Sequence, residues 1–246
     1  MRAVAVIPAR YGSQRFPGKM LADLGGKPLF VRTVERARQA ESLSEVWVAT
    51  DDIRIAGVAE QEGIPVKMTR EDHPSGTDRI AEAVAELDAE IIVNVQGDEP
   101  FMDPVLINRL VARMQDEPGL EMATAATPIR SREELTASSV VKVVCSDCGH
   151  ALYFSRSLIP FCRDTGPESA LGQEKYLRHL GIYAYRHAFL LALVRKPPHW
   201  LETMEKLEQL RALALGARIA VLRTEQPAPG VDTPEDLAAA ECWFAG

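Results

Sequence analysis

The 246-residue sequence holds only four cysteines, Cys145, Cys148, Cys162 and Cys242. They are too few and too scattered to form the disulfide framework of a small secreted domain. No apolar run is long enough to span a bilayer, so no membrane insertion is expected. The first residues read as a strand and not as a signal peptide, which makes the cytoplasm the expected compartment. A basic stripe or tail is also missing, and the net charge of -7 argues against a nucleic-acid partner. There is no repeat and no low-complexity tract. Two phosphate-binding fingerprints are absent as well, the Gly-Lys-Ser/Thr of a P-loop and the G-x-G-x-x-G of a dinucleotide site. The remaining composition is that of a globular chain, 46% hydrophobic and 26% charged. Its length suffices to bury a full core without disulfides or structural metal.

What is present begins at the N-terminal end. Ala3, Val4, Ala5, Val6 and Ile7 read as a buried strand. The loop that follows carries Arg10, Arg15 and Lys19 among Gly12, Pro17 and Gly18. A rigid strand feeding a glycine-bearing, cation-studded loop is how α/β proteins build sites for polyphosphates. These cations could instead be plain surface charges on a turn. Three of them directly after one buried strand favour the phosphate reading.

The rest of the chain alternates. Helices are expected over 28–40, 53–62, 77–87 and 104–115, with strands over 45–50, 63–68, 91–95 and 121–127. The strands are apolar on both faces, as in a parallel sheet covered by helices. The pattern then changes to a β-hairpin, 140–145 with 151–154, and a further strand over 180–185. Residues 163–175 read as a mobile polar loop. A helix over 202–215, carrying Met204, Leu207, Leu210 and Leu213 on one face, is expected to stop at Gly216. A strand over 218–222 and a helix from Pro234 close the pattern. The expectation is one α/β domain spanning 1–246, with an inserted β-rich subregion at about 128–200.

Several residues carry candidate chemistry. Asp98 stands just beyond the apolar strand 91–95, where ligands of α/β sheets bind, and a carboxylate there could hold Mg²⁺ against phosphate oxygens. It could equally cap a turn before Pro100. Thr233, Pro234 and Asp236 look like an N-cap, first helical residue and capping-box acid, which leaves the neighbouring Asp232 free as a second carboxylate. Cys145-x-x-Cys148 with His150 hints at zinc, but the pair straddles a hairpin turn and no second ligand pair follows. His179 and Tyr183 are evenly spaced on one strand and share a face. A half-exposed antiparallel strand accounts for them equally well, and Glu208 and Gln209 could be plain solvent-facing helix residues.

Taken together, these pieces resemble the CMP-Kdo synthetases, the Kdo cytidylyltransferases. The blocks that carry the resemblance are Ile7 to Lys19, Val48 to Asp52, Met68 to Arg70, His73 to Arg79 and Asn94 to Pro100. They continue with Ala151 to Arg156, Arg178 to Tyr183, Leu207 to Arg211 and Gly230 to Glu235, in order along the whole chain. The resemblance implies a Rossmann-like, mostly parallel sheet with helices on both faces and a smaller β-rich dimerisation subregion. It implies a homodimer that joins CTP to the acid sugar Kdo, releases pyrophosphate and feeds lipopolysaccharide synthesis. On this reading Pro8, Ala9, Arg10, Arg15, Lys19, Arg70, Ser75, Gly76 and Gln96 meet CTP, with Arg10, Lys19 and Asp98 catalytic. Asp98 and Asp232 correspond to the Mg²⁺ ligands, while Arg156, His179, Tyr183, Glu208 and Gln209 match the sugar region. Two departures from the family pattern are the turn from Cys145 to His150, usually acidic and free of cysteine, and Phe16 in place of the commoner Leu. Other readings are CMP transfer to another acid sugar, such as a sialic acid or 8-amino-Kdo, or a nucleotide-binding module without catalysis.

Overall fold

A computed structural model describes residues 1–12, 16–164, 166–171, 173–225 and 229–244. The chain forms two compact units, Met1–Ala112 with Ala228–Gly246, and Arg113–Pro227.

In the first unit, β1 (Ala3–Pro8), β2 (Glu45–Thr50), β3 (Val66–Met68) and β4 (Ile91–Asn94) lie parallel in the order β3-β2-β1-β4. Ala3 to Ile7 and all four residues of β4 are buried, so the apolarity of Ala3 to Ile7 and of Ile91 to Val93 reflects cover on both faces. The connections are α1 (Leu29–Ala37), α2 (Ile53–Gln61) and α3 (Gly76–Val84). Asp52 caps α2 by accepting from the Arg54 N–H at 2.9 Å, and Ser75 caps α3 by accepting from the Asp78 N–H at 3.2 Å. Helix α4 (Pro104–Asp116) begins in this unit.

The second unit is built on β5 (Met122–Pro128), whose seven residues are all buried. After α5 (Arg132–Thr136) come the hairpin strands β6 (Lys142–Cys145) and β7 (Ala151–Ser155), the short α6 (Glu168–Leu171) and β8 (Leu177–Arg186). Then follow α7 (His187–Val194), α8 (Trp200–Glu205), α9 (Gln209–Ala214) and β9 (Ile219–Arg223). Strand β5 runs antiparallel to β8 and parallel to β9. The chain ends with α10 (Pro234–Phe244), back in the first unit. The α/β class expected from the alternation is the one found.

Three expectations are corrected. The helix expected over 202–215 is two helices, because Lys206 takes a left-handed φ of 54° and ends α8. A buried ion pair explains the break: Arg211 on α9 forks onto Glu202 on α8 at 2.6 and 2.8 Å. Consequently Met204 does not share the buried face; it is 77% exposed while Leu207 and Leu210 are buried. Residues 163–175 include α6, so a helical turn stands within the expected loop. Strand β8 starts at Leu177, three residues earlier than expected, because Leu177 and Arg178 also pair with β6.

Candidate active site

Gly18, at φ 73°, donates its N–H to the Tyr11 carbonyl (3.1 Å) and opens a 3-10 turn, Lys19–Leu21, that carries Lys19 inward. The lysine is 6% exposed, and its Nζ donates to Asp98 Oδ2 at 2.6 Å and to Asp232 Oδ1 at 3.1 Å. Asp98 is delivered by the turn after β4. That turn lies so close to β1 that a Cβ on Gly97 would stand 2.9 Å from Met20 Sδ and 3.1 Å from the Pro8 carbonyl. The Asp98 carbonyl accepts the Val231 N–H at 2.8 Å, which ties the segment bearing Asp232 to it.

The capping box before α10 forms as expected. Asp236 accepts the Thr233 N–H at 2.9 Å, and Thr233 Oγ1 accepts the Asp236 N–H at 3.2 Å. Asp236 also accepts the Asp232 N–H at 3.0 Å, the main reason its carboxyl titrates below the usual range. The cap therefore makes no demand on the Asp232 carboxylate. It is not free, however, since it faces Lys19. Two carboxylates against one ammonium leave a single net negative charge on hard oxygen donors, a set that suits a divalent cation completed by phosphate oxygens. Among the described residues no cluster of three or more acidic, His or Cys ligands occurs.

The other expected nucleotide residues described in the first unit lie around the ends of β1, β3 and β4 and the start of α3. Ala9 is buried and donates to the Ala49 carbonyl at 2.9 Å, whereas Arg10 is exposed, with no ion-pair partner among the described residues. Arg15 lies outside the described residues. A Cβ on Gly76 would stand 3.6 Å from Pro8 Cγ, so the start of α3 abuts the end of β1. Arg70 is exposed and 3.5 Å from both Asp72 and Glu82. Gln96 donates to Asn94 Oδ1 at 3.1 Å. Sequence reasoning gave no role to Arg79, which is buried and donates to Thr69 Oγ1 (2.6 Å) and Asp51 Oδ2 (2.7 Å), joining α3 to the ends of β2 and β3. Nor did it single out the Arg54 guanidinium, 3.3 Å above the Tyr11 ring.

The second unit holds the five residues expected for a sugar. Arg156 donates from Nε, Nη1 and Nη2 to the carbonyls of Glu205 (2.7 Å), Ser138 (3.0 Å) and Lys206 (3.4 Å). Its fork is thus anchored, with two of its five N–H groups left over. The Arg156 carbonyl in turn accepts from the buried Lys142 ammonium at 2.8 Å, whose pKa burial pulls down. His179 and Tyr183 share a face as expected, their ring centroids 5.3 Å apart, with Phe154 edge-on to His179 at 5.0 Å. Packing lowers the imidazole pKa to about 3 and raises that of the Tyr183 phenol well above its ordinary value, so both are neutral near pH 7. Glu208 stands at the N-cap of α9. Gln209 is 4% exposed, and its Nε2 has no hydrogen-bond partner among the described residues.

The sequence pattern of the cytidylyltransferase family matches residues 4–219. The chain belongs to that family. The cytidylyltransferase is 49% identical over 242 residues to the 3-deoxy-manno-octulosonate cytidylyltransferase of Trichlorobacter lovleyi, covering 96% of each chain. It is 48% identical to the enzyme of the same name from Geobacter sulfurreducens, covering 96% of this chain and 97% of that one. It also superposes on the solved structure of CMP:2-keto-3-deoxy-manno-octonic acid synthetase complexed with CTP. There the TM-score is 0.93 and the identity 43%, over 100% of this chain and 99% of that one. The 4-diphosphocytidyl-2C-methyl-D-erythritol synthase of Anaerococcus prevotii, at 14% identity and TM-score 0.65, shares the fold alone. The cytidylyltransferase is accordingly a nucleotidyltransferase of α/β architecture.

Proposed function

We propose that this cytidylyltransferase joins CTP to 3-deoxy-manno-octulosonate (Kdo), giving CMP-Kdo and pyrophosphate. The observation that carries the reading is the buried Lys19 ammonium between Asp98 and Asp232, in a chain 43–49% identical to Kdo-activating enzymes over nearly its whole length. In the reaction, the anomeric hydroxyl of Kdo forms a bond to the α-phosphorus of CTP. The α–β bridging bond breaks, the hydroxyl proton departs, and pyrophosphate leaves. Such a transfer depends on positioning and charge neutralisation more than on covalent catalysis.

Lys19 and Arg10 would neutralise charge as it builds on the phosphoryl oxygens. Pro8 and Ala9 at the end of β1, with Arg15, Arg70, Ser75, Gly76 and Gln96, would hold the nucleotide. Asp98 and Asp232 fit Mg²⁺, because both carboxylates already converge on one cation, the Lys19 ammonium. When bound, Mg²⁺ supplies Lewis-acid stabilisation of the phosphoryl oxygens and of the leaving pyrophosphate. The two uncommitted N–H groups of Arg156 suit the Kdo carboxylate, and Gln209 Nε2, without a partner among the described residues, suits a sugar hydroxyl. Tyr183 and Glu208 complete the sugar contacts. The family resemblance also supports a homodimer in the cytoplasm, which equilibrium sedimentation checks for assembly.

Pyrophosphate release from CTP with Kdo tests the activity, run with and without Mg²⁺ and against 8-amino-Kdo and a sialic acid. Release that requires Kdo and Mg²⁺ is expected. Release with a sialic acid but not with Kdo would move the chain to a different acid sugar, and CTP binding without turnover would make it a binding module.

A further inference from the structure

Thr124, on β5, is fully buried and occupies the point where the β5–β8 register shifts, between Thr124 paired with Tyr183 and Ala125 paired with Leu180. The two extra residues of β8, Gly181 and Ile182, bend main-chain carbonyls towards the threonine. Its Oγ1 lies 2.7 Å from the Ile182 carbonyl, 3.2 Å from the Leu180 carbonyl and 3.0 Å from His179 Nε2. A hydroxyl has one proton, and a carbonyl oxygen can only accept. At 2.7 Å, two oxygens without a proton between them repel, so the Thr124 proton is committed to Ile182. The remaining contact must then run the other way, with His179 Nε2–H donating to the threonine oxygen.

We infer that Thr124 fixes His179 as its Nε2–H tautomer, leaving Nδ1 as an acceptor for one hydroxyl group of the acid sugar. His179 Nδ1 has no hydrogen-bond partner among the described residues. The imidazole is neutral near pH 7, in keeping with this assignment. An acceptor held this way recognises a donor on the ligand and leaves its lone pair unpaired against an analogue that lacks one, a stronger rejection than size alone gives. Thr124 is thus a positioning residue that acts through His179. The sugar half of this inference rests on the functional reading above, while the tautomer half does not.

The experiment is long-range ¹H–¹⁵N correlation NMR of full-length protein labelled at histidine, near pH 7.5, with His179 assigned through His179→Gln. Wild type should show a protonated Nε2 and an unprotonated Nδ1. Thr124→Val should lose that pattern, and Thr124→Ser, which restores the hydroxyl, should recover it. Adding Kdo with an α,β-methylene analogue of CTP should shift the Nδ1 resonance towards hydrogen-bonded values. In turnover assays Thr124→Val should raise the KM for Kdo about tenfold, the loss of one hydrogen bond, with the KM for CTP unchanged. A protonated Nδ1 or an imidazolium in wild type would overturn the tautomer assignment. The expected tautomer with an Nδ1 resonance indifferent to Kdo would overturn the sugar contact, and with it the role read for His179. A folded Thr124→Val that keeps both tautomer and KM would overturn the role of Thr124 itself.

Discussion

Lys19 faces two carboxylates, so removing either one leaves its ammonium buried but still paired. Asp98→Asn should for that reason keep the fold, with unchanged circular dichroism, while turnover falls by about 10²–10³. Near-normal pyrophosphate release would remove Asp98 from the chemistry. His179 makes a prediction of the opposite kind, about stability. Its folded pKa of about 3 lies below the ordinary 6.5, so between those values the unfolded chain binds the additional proton. Stability should therefore fall as pH drops from about 6.5 towards 3 and be insensitive to this group above 6.5. Melting temperatures at pH 7 and pH 5 check this: the wild type should lose more than His179→Gln between the two. Equal losses would show that the imidazole does not carry the effect.

Among the elements, the exits of β1 and β4 pack closely at Gly97, and Gly97→Ala should cost about 1–3 kcal/mol, read by denaturant unfolding, since the contacts include main chain. The α8–α9 break should respond likewise to Glu202→Ala, which removes the carboxylate partner of the buried Arg211 guanidinium and should cost about 3 kcal/mol. An unchanged unfolding midpoint in either variant would contradict the packing described. Most elements of both units were legible as apolar runs, caps and turn residues, and Lys19, Asp98 and Asp232 stood out as charged groups in the connections between them. Their contacts were not, because Lys19 meets acids 79 and 213 positions away and no local pattern encodes that. The 202–215 segment misled because Met204, Leu207, Leu210 and Leu213 keep helical spacing through the left-handed turn at Lys206, across which Arg211 pairs with Glu202. Thr124 and Arg79 were invisible for a related reason. A threonine in an apolar strand reads as core, and an arginine in a helix reads as solvent face, until their partners are known.

For the molecule as a whole, the first unit is discontinuous in sequence, and residues 229–246 return to it with Asp232, Val231 and α10. Val231 and Ala240 complete a buried cluster with Leu24 and Leu29. Deleting 229–246 should therefore do two things at once, abolishing turnover and lowering the melting temperature of the full chain. Full activity in the shortened protein would show that Asp232 is dispensable. The same discontinuity orders events during synthesis. Lys19 and Asp98 leave the ribosome early and can pair while the chain is still growing, but the second acid arrives only after all of Arg113–Pro227 has been translated. Until then the lysine balances one carboxylate, and the nascent protein offers no acid pair to an ion. On the proposed function, partial translation products lack the acid pair, and a stalled chain should be inert towards CTP instead of consuming it.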